Sequence, residues 1–171
     1  MNVQALLAKR SHAVIAFIAV SVLAALAYLL QLRPAAPDAA FVTLNGARMS
    51  VRELRGKVVY VNFWATSCAT CIKEMPEVVK TYQRFASRDF ELLGVAMSYD
   101  PPPYVREYVR RHQLHFKIVL DRGGSIAAAF DNVNLTPTAV LIDRHGRILR
   151  RIVGEPDFPA LNALVEQELQ R

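Results

Sequence analysis

The hydrophobic and polar positions of this chain alternate between strand and helix patterns from residue 41 onwards. Two apolar runs, Val58–Trp64 and Phe90–Met97, predict strands that are buried on both faces. Between them, from Cys68 to Ala86, apolar residues recur at spacings of three and four, which predicts an amphipathic helix. Pro76 lies inside this helix and should kink it, because its ring removes one backbone hydrogen bond.

Shorter elements complete the predicted domain. Asn45-Gly46 predicts an N-terminal β-hairpin over 41–50. Alternation of strands and helices predicts an α/β fold, in which a central mixed sheet is flanked by helices on both faces. The remaining elements are expected in this order: a helix from Asp100 to His112, a strand Phe116–Leu120, a short helix Ser125–Phe130, a hairpin of Thr138–Asp143 with Arg147–Val153, and a last helix capped by Asp157.

The first part of the chain has a different pattern. The run from Val14 to Leu32 contains no charged residue, which is long enough for a helix across a hydrocarbon layer of roughly 30 Å. Lys9 and Arg10 precede it and favour a cytoplasmic N-terminus. A cleaved signal peptide ending near Ala25-Leu26-Ala27 is the alternative, and it would export the domain equally. The expected organisation is a cytoplasmic tail (1–12), a transmembrane anchor (13–32), a Pro/Ala-rich linker (33–40) and an exported domain (41–171).

Composition and charge exclude several classes of protein. Of the 171 residues, 53% are hydrophobic, which suits one domain of ordinary size. The chain has 21 Lys and Arg against 15 Asp and Glu. Because these basic residues are scattered and no nucleic-acid motif accompanies them, we expect no nucleic-acid partner. Two cysteines are too few for a disulfide-stapled mini-protein or for a zinc site made of cysteine alone.

Both cysteines lie in one motif, Cys68-Ala69-Thr70-Cys71, which follows a predicted strand and opens a predicted helix. The N-terminus of a helix stabilises a thiolate, which favours Cys68 as a nucleophile. Cys71 lies one turn further on, so it can form a disulfide with Cys68 and resolve a mixed disulfide. We predict a redox-active pair that needs no metal or other cofactor. The alternatives are an inert disulfide, or a copper or zinc site in which His112 and His115 complete the zinc ligands.

Three segments together, FWATSCATCIKEMP, GVAMSYD and LTPTAVLIDRHGRI, resemble the membrane-anchored, periplasmic thioredoxin-like proteins of the TlpA/ResA group. The resemblance covers 41–171 and the anchor. It implies a thioredoxin fold and thiol–disulfide exchange, usually reduction of other exported proteins, with cytochrome c maturation as the commonest setting. The implied partners are disulfide-containing exported proteins, a transmembrane thiol electron donor and the cytoplasmic membrane.

The resemblance also implies roles for individual residues. Cys68 and Cys71 match the redox-active disulfide, and Glu74 matches a catalytic carboxylate of the ResA-like members. Pro137, after Thr136, matches the cis-proline that lies beside the disulfide in thioredoxin folds. The substrate-binding surface that follows from the resemblance consists of Trp64, Ser67, Thr136 and Pro137.

The chain differs from related proteins at three positions. Ser67 replaces the usual tryptophan before the first cysteine, which removes a flat apolar contact for the substrate. Thr70 stands where a proline is usual, and neither residue between the cysteines is the histidine of strongly oxidising relatives. Asn62 replaces the buried aspartate of cytosolic thioredoxins, and because an amide carries no proton at neutral pH, Glu74 is the expected base. Two other functions stay open: a copper-handling binding protein and a peroxiredoxin-like peroxidase.

Overall fold

The computed structural model describes residues 17–26 and 33–171. The chain divides into two compact units, Met1–Pro34 and Ala35–Arg171. In the first unit, the described residues 17–26 are helical and exposed. Within the described ranges, no helix combines the length and the apolar character that a membrane crossing requires. Outside the described residues lie the predicted tail and both ends of the predicted anchor: 1–12, 13–16 and 27–32.

The elements of the second unit follow the chain in this order: β1 (Ala40–Val42), β2 (Arg48–Ser50), a 3₁₀ helix (Val51–Leu54), β3 (Val58–Trp64), α1 (Ala69–Phe85), β4 (Phe90–Ala96), α2 (Pro102–Arg111), β5 (Lys117–Leu120), α3 (Ser125–Ala129), β6 (Thr138–Ile142), β7 (Ile148–Val153) and α4 (Phe158–Leu169). They are built around a five-stranded sheet with the order β5-β4-β3-β6-β7. Strand β3 runs parallel to β4, and β4 parallel to β5, whereas β6 is antiparallel to both β3 and β7. This arrangement confirms the predicted mixed α/β sheet.

Two apolar clusters lie on opposite faces of this sheet. The residues of β3 divide between them, because successive side chains of a strand point to opposite faces. Helices α1, α2 and α4 cover the face that carries Tyr60 and Trp64. Helix α3, the 3₁₀ helix and the β1–β2 hairpin cover the face that carries Val59, Val61 and Phe63. As its apolar sequence predicts, β3 is therefore buried along its whole length.

Part of the predicted linker belongs to the folded unit. Ala35 pairs with Arg147, and the Ala36 N–H donates to the Gly146 carbonyl at 2.8 Å. These contacts hold the segment against the turn between β6 and β7, so the folded unit begins at Ala35, inside the segment predicted as a linker.

The other predicted elements form with ends within about two residues of the expected positions. The Asp157 carboxylate caps α4 by accepting the Ala160 N–H at 3.0 Å, as predicted. Pro76 lies inside α1, and the helix continues beyond it to Phe85. The hairpin predicted over 41–50 also forms, although β1 and β2 make a separate two-stranded sheet.

Candidate active site

The two cysteines lie at the C-terminal end of β3, where the chain turns into α1. They form a disulfide, with their Cα atoms 5.2 Å apart. Cys68 is the N-cap of α1, and its Sγ accepts a hydrogen bond from the Cys71 N–H at 3.1 Å. Cys68 is partly exposed, whereas Cys71 is fully buried. A partner molecule therefore approaches the Cys68 sulfur first.

A buried carboxylate fixes the turn in front of the cysteines. Asp100, which follows β4, accepts hydrogen bonds from the Thr66 N–H at 2.6 Å and from the Thr66 hydroxyl at 2.5 Å. The helix predicted from Asp100 forms as α2, with Pro101 as its N-cap, and the Asp100 side chain binds the Thr66 turn instead of capping the helix. Sequence reasoning missed the contact with Thr66, since only the pairing of β3 with β4 brings the ends of these strands together.

A third segment, just before β6, lies against Cys68. The Thr136–Pro137 peptide bond is cis, in agreement with the resemblance, and Pro137 is buried. The Thr136 carbonyl oxygen lies 3.5 Å from Cys68 Sγ. The Thr136 side chain is hydrogen-bonded to Tyr99, with 3.1 Å between the two hydroxyl oxygens. Ser67, a small polar residue, is exposed beside Cys68.

Glu74 lies on α1, three residues after Cys71, and is 2% exposed. Its two carboxyl oxygens have no hydrogen-bond partner among the described residues. Burial, and after it the negative charge of Glu155, raises the pKa of Glu74 to about 7. Residues three apart on a helix share a face, with Cβ atoms roughly 5–6 Å apart. Near neutral pH, Glu74 can therefore hold or release a proton beside Cys71.

Two further polar side chains are buried on β3, the strand that leads into the cysteines. Tyr60 and Asn62 are almost completely buried, and neither side chain has a hydrogen-bond partner within the part of the chain that is described. Burial, and after it the charge of Glu74, raises the pKa of Tyr60, which keeps its hydroxyl protonated. Sequence reasoning missed Tyr60, although its spacing of two from Asn62 indicates the same face of the strand.

Trp64 does not belong to the substrate-binding surface, contrary to expectation. Its side chain is fully buried and packs on Tyr108 of α2, with ring centroids 5.4 Å apart. The physical reason is the period of the strand, because Trp64 shares the helix-covered face with Tyr60. The structure brings the other predicted site residues to one place, and their individual roles stay predictions: Ser67, Cys68, Cys71, Glu74, Thr136 and Pro137.

The described residues contain no group of three or more His, Cys, Asp or Glu side chains that could hold a metal ion. His112 stacks on Tyr108 with ring centroids 4.1 Å apart, and His112 and His115 are both exposed. The disulfide can accept two electrons, and Glu74 can exchange a proton near neutral pH.

Known proteins share the sequence and the fold of this chain. Residues 33–165 match the Redoxin family. The thiol-disulfide oxidoreductase ResA from a strain of Bacillus cereus is 32% identical over 138 residues, which cover 81% of this chain and 79% of that protein. ResA of Bacillus subtilis (strain 168) is 31% identical over 119 residues, which cover 70% of this chain and 65% of that protein.

Solved structures agree with these relatives. The crystal structure of a thiol:disulfide interchange protein of the thioredoxin family from Chlorobium tepidum TLS superposes with a TM-score of 0.73 at 28% identity, covering 81% of this chain and 97% of that one. StoA from Bacillus subtilis superposes with a TM-score of 0.64 at 26% identity, covering 75% and 97%. The predicted thioredoxin-like fold and class of activity are therefore confirmed: the chain belongs to the redoxin family and is a thiol–disulfide oxidoreductase similar to ResA.

Proposed function

We propose that this oxidoreductase is an exported, membrane-anchored reductase of disulfides in other proteins. Residues 13–32 form the anchor, and the catalytic unit lies on the extracytoplasmic side of the cytoplasmic membrane. Its substrates are disulfide-containing exported proteins, with cytochrome c maturation as the setting that the resemblance implies. A transmembrane thiol donor returns electrons to the Cys68–Cys71 pair.

The unequal exposure of the two sulfurs is the observation that carries this proposal. Cys68 is partly exposed at the N-terminus of α1, where backbone N–H groups stabilise a thiolate. Cys71 is fully buried behind it. This arrangement assigns the attack on a substrate to Cys68 and the resolution of the mixed disulfide to Cys71.

The exchange balances with two electrons and two protons. The Cys68 thiolate of the reduced enzyme attacks one sulfur of the substrate disulfide, whose S–S bond breaks while a mixed disulfide forms. The departing substrate sulfur takes the electron pair and a proton. Cys71, once deprotonated, attacks Cys68 Sγ and releases the second substrate sulfur, which also becomes a thiol. The enzyme ends with the Cys68–Cys71 disulfide, which the thiol donor then reduces.

Glu74 supports the reducing direction. A carboxylate close to a forming thiolate disfavours both charges, so the reduced enzyme is stabilised less than in oxidising relatives, whose dithiol form is strongly favoured. A couple with a less stable reduced form gives up its electrons more readily. The pKa of about 7 also suits Glu74 to accept the Cys71 proton during resolution.

The N-terminal sequence supports the proposed export. A run without charge from Val14 to Leu32, preceded by Lys9 and Arg10, has the length and the flanking charges of an anchor with its N-terminus in the cytoplasm. A reporter that is active only in the cytoplasm, fused after Arg171, should be silent. An active reporter would overturn the proposed topology.

Trapping of mixed disulfides in cells tests the reductase function. Full-length Cys71→Ser should accumulate covalent complexes with exported proteins that dissolve in a thiol reductant, because resolution is blocked. Cys68→Ser should trap nothing, and the double variant is the matched control. Equal trapping by the two single variants would contradict the division of roles. In cells without the protein, the trapped partners should accumulate as disulfides, and accumulation as free thiols would make the enzyme an oxidase.

A further inference from the structure

Tyr99 is a large aromatic residue on the surface next to the disulfide, and the redox step does not use it. Its side chain is 55% exposed. Its hydroxyl lies 3.1 Å from Thr136 Oγ1, and the Thr136 carbonyl oxygen lies 3.5 Å from Cys68 Sγ. One residue, Thr136, therefore connects the ring to the sulfur that meets the substrate.

The turn that carries Tyr99 is held at both sides. The Asp100 N–H donates to the Met97 carbonyl at 3.0 Å, and the Asp100 carboxylate binds Thr66 in the turn before the cysteines. The Tyr99 hydroxyl in turn bonds to Thr136. An aromatic side chain held in this way offers a large apolar area and loses little conformational entropy when a partner covers it.

Leu135 supplies a second exposed apolar side chain next to Thr136 in the chain. It precedes Thr136 directly and is 61% exposed, and its carbonyl oxygen accepts a hydrogen bond from Thr138 Oγ1 at 2.8 Å. Exposed apolar side chains that group together are typical of interaction surfaces, whereas isolated ones are common. Within residues 33–171, the large hydrophobic side chains that are exposed are few, and two of them flank Thr136: Val42, Tyr99, Tyr104, Leu135 and Val153.

We propose that Tyr99 and Leu135 form a specificity contact that receives a bulky apolar side chain next to the reacting cysteine of the substrate. The substrate segment passes over Thr136 in an extended conformation, with its cysteine at Cys68. Ser67, the exposed residue before Cys68, is small and polar, so the apolar contact falls to Tyr99 and Leu135. The inference rests on the proposed reductase function and adds the class of substrate: disulfides whose cysteine has a bulky apolar neighbour.

Two disulfide-linked peptides that differ only in Leu or Ser beside the cysteine test this inference. Full-length protein is first reduced, and its reoxidation by each peptide is followed by stopped flow. Every rate constant is divided by that of the same protein with 2-hydroxyethyl disulfide. We expect the wild type to prefer the Leu peptide by about tenfold, the usual scale for an apolar side chain in a fitting contact. Tyr99→Ser should reduce this preference to about twofold, mainly by raising the half-saturating concentration of the Leu peptide.

Two further variants test whether the preference for the Leu peptide depends on the aromatic ring of Tyr99 in particular. Tyr99→Phe keeps the ring and should retain most of the preference. Tyr104→Ser is the matched control, because Tyr104 is a tyrosine of α2 that is 66% exposed, whereas the hydroxyl bonded to Thr136 is that of Tyr99. An unchanged preference in Tyr99→Ser, or an equal loss in Tyr104→Ser, overturns this inference alone. A wild-type protein that reduces neither peptide overturns the proposed function and this inference with it.

Discussion

Two of the buried glutamates of the folded unit, Glu91 and Glu74, have different surroundings. Glu91, at the start of β4, is 5% exposed. Lys117 Nζ donates a hydrogen bond to Glu91 Oε2, and Lys57 Nζ lies 3.7 Å from the same oxygen. Glu74, on α1 beside the disulfide, is 2% exposed and has no hydrogen-bond partner in the described part of the chain.

This difference separates a structural carboxylate from a reactive one. Two cations, Lys57 and Lys117, lie against the Glu91 carboxylate. No hydrogen-bond partner meets Glu74 among residues 17–26 and 33–171, and burial raises its pKa to about 7. A buried and uncompensated carboxylate costs stability, and groups of this kind cluster at functional sites. The position of Glu74 one helical turn after Cys71 is consistent with such a use.

The largest expected difference is in activity, between a variant that lacks a sulfur of the reactive site and a variant of the structural glutamate. Cys68→Ser should lower the rate of disulfide reduction to that of the uncatalysed reaction, because no nucleophile remains at the exposed position. Glu91→Gln should keep the rate within about twofold, since Glu91 lies away from the reacting atoms. Peptide-disulfide reduction by both variants and the wild type is the measurement. Substantial activity in Cys68→Ser would place the nucleophile elsewhere.

The second largest expected effect is a dependence of the free energy of unfolding on pH that is caused by Glu74. The folded protein holds the Glu74 proton up to about pH 7, whereas the unfolded chain releases it near the ordinary value of 4.5. The unfolded state therefore binds fewer protons between these values, and the free energy of unfolding falls as pH rises from 4.5 to 7. The difference amounts to about 3 kcal/mol, at 1.36 kcal/mol for each pH unit.

The glutamine amide in Glu74→Gln does not titrate between pH 4.5 and pH 8, so the variant lacks this loss of stability. Its stability relative to the oxidised wild type should therefore increase by about 3 kcal/mol between pH 4.5 and pH 8. Urea midpoints of both oxidised proteins at several pH values measure this difference. A constant difference across the range would mean that Glu74 titrates as an ordinary, solvated carboxyl group.

A substitution of Glu91 should lower the stability of the folded protein, whereas Glu74→Gln should raise it relative to the wild type as pH rises. Glu91→Gln leaves two lysines without their shared partner and should lower the free energy of unfolding by about 2 kcal/mol. The value lies below that of a fully buried pair, because the side chains of Lys57 and Lys117 are 44% and 32% exposed. Urea unfolding at pH 7 checks it. A variant as stable as the wild type would show that the lysines contribute little.

The smallest expected effect concerns the rate at the reactive carboxylate. Glu74→Gln should slow the reduction of a peptide disulfide about tenfold, since Cys71 loses the group that accepts its proton. It should also shift thiol alkylation by iodoacetamide to lower pH, because a neutral amide no longer opposes the thiolate. Superimposable alkylation profiles with an unchanged rate would assign the proton transfer to water.

Local patterns in the sequence were sufficient to predict the helices, the strands and the disulfide, but they could not predict contacts between distant segments. The apolar run of β3 predicts its burial, and the spacing of the cysteines predicts their bond. The hydrogen bonds of Thr66 with Asp100 and of Tyr99 with Thr136 join residues 34 and 37 positions apart. Only the order of the strands brings these pairs together, and no local pattern contains that order.

A second limit of the sequence concerns Trp64, which the resemblance placed on the substrate-binding surface. The alternation of β3 places it on the helix-covered face instead, where it packs on Tyr108. An exposed aromatic residue near the disulfide is Tyr99, which the sequence did not single out. The resemblance alone could not tell which aromatic ring is exposed, because that depends on the strand face and on contacts between distant segments.

The titration of the Glu74 carboxyl group tests the central claim most directly. Side-chain ¹³C NMR of the oxidised protein can follow the carboxyl resonance from pH 4 to pH 9, with Glu74→Gln assigning the signal by its disappearance. The account predicts a midpoint close to 7, caused chiefly by burial of the carboxyl group. A midpoint near 4.5 would contradict it, because Glu74 would then hold no proton in the neutral range and would be too weak a base to take one from Cys71 efficiently there.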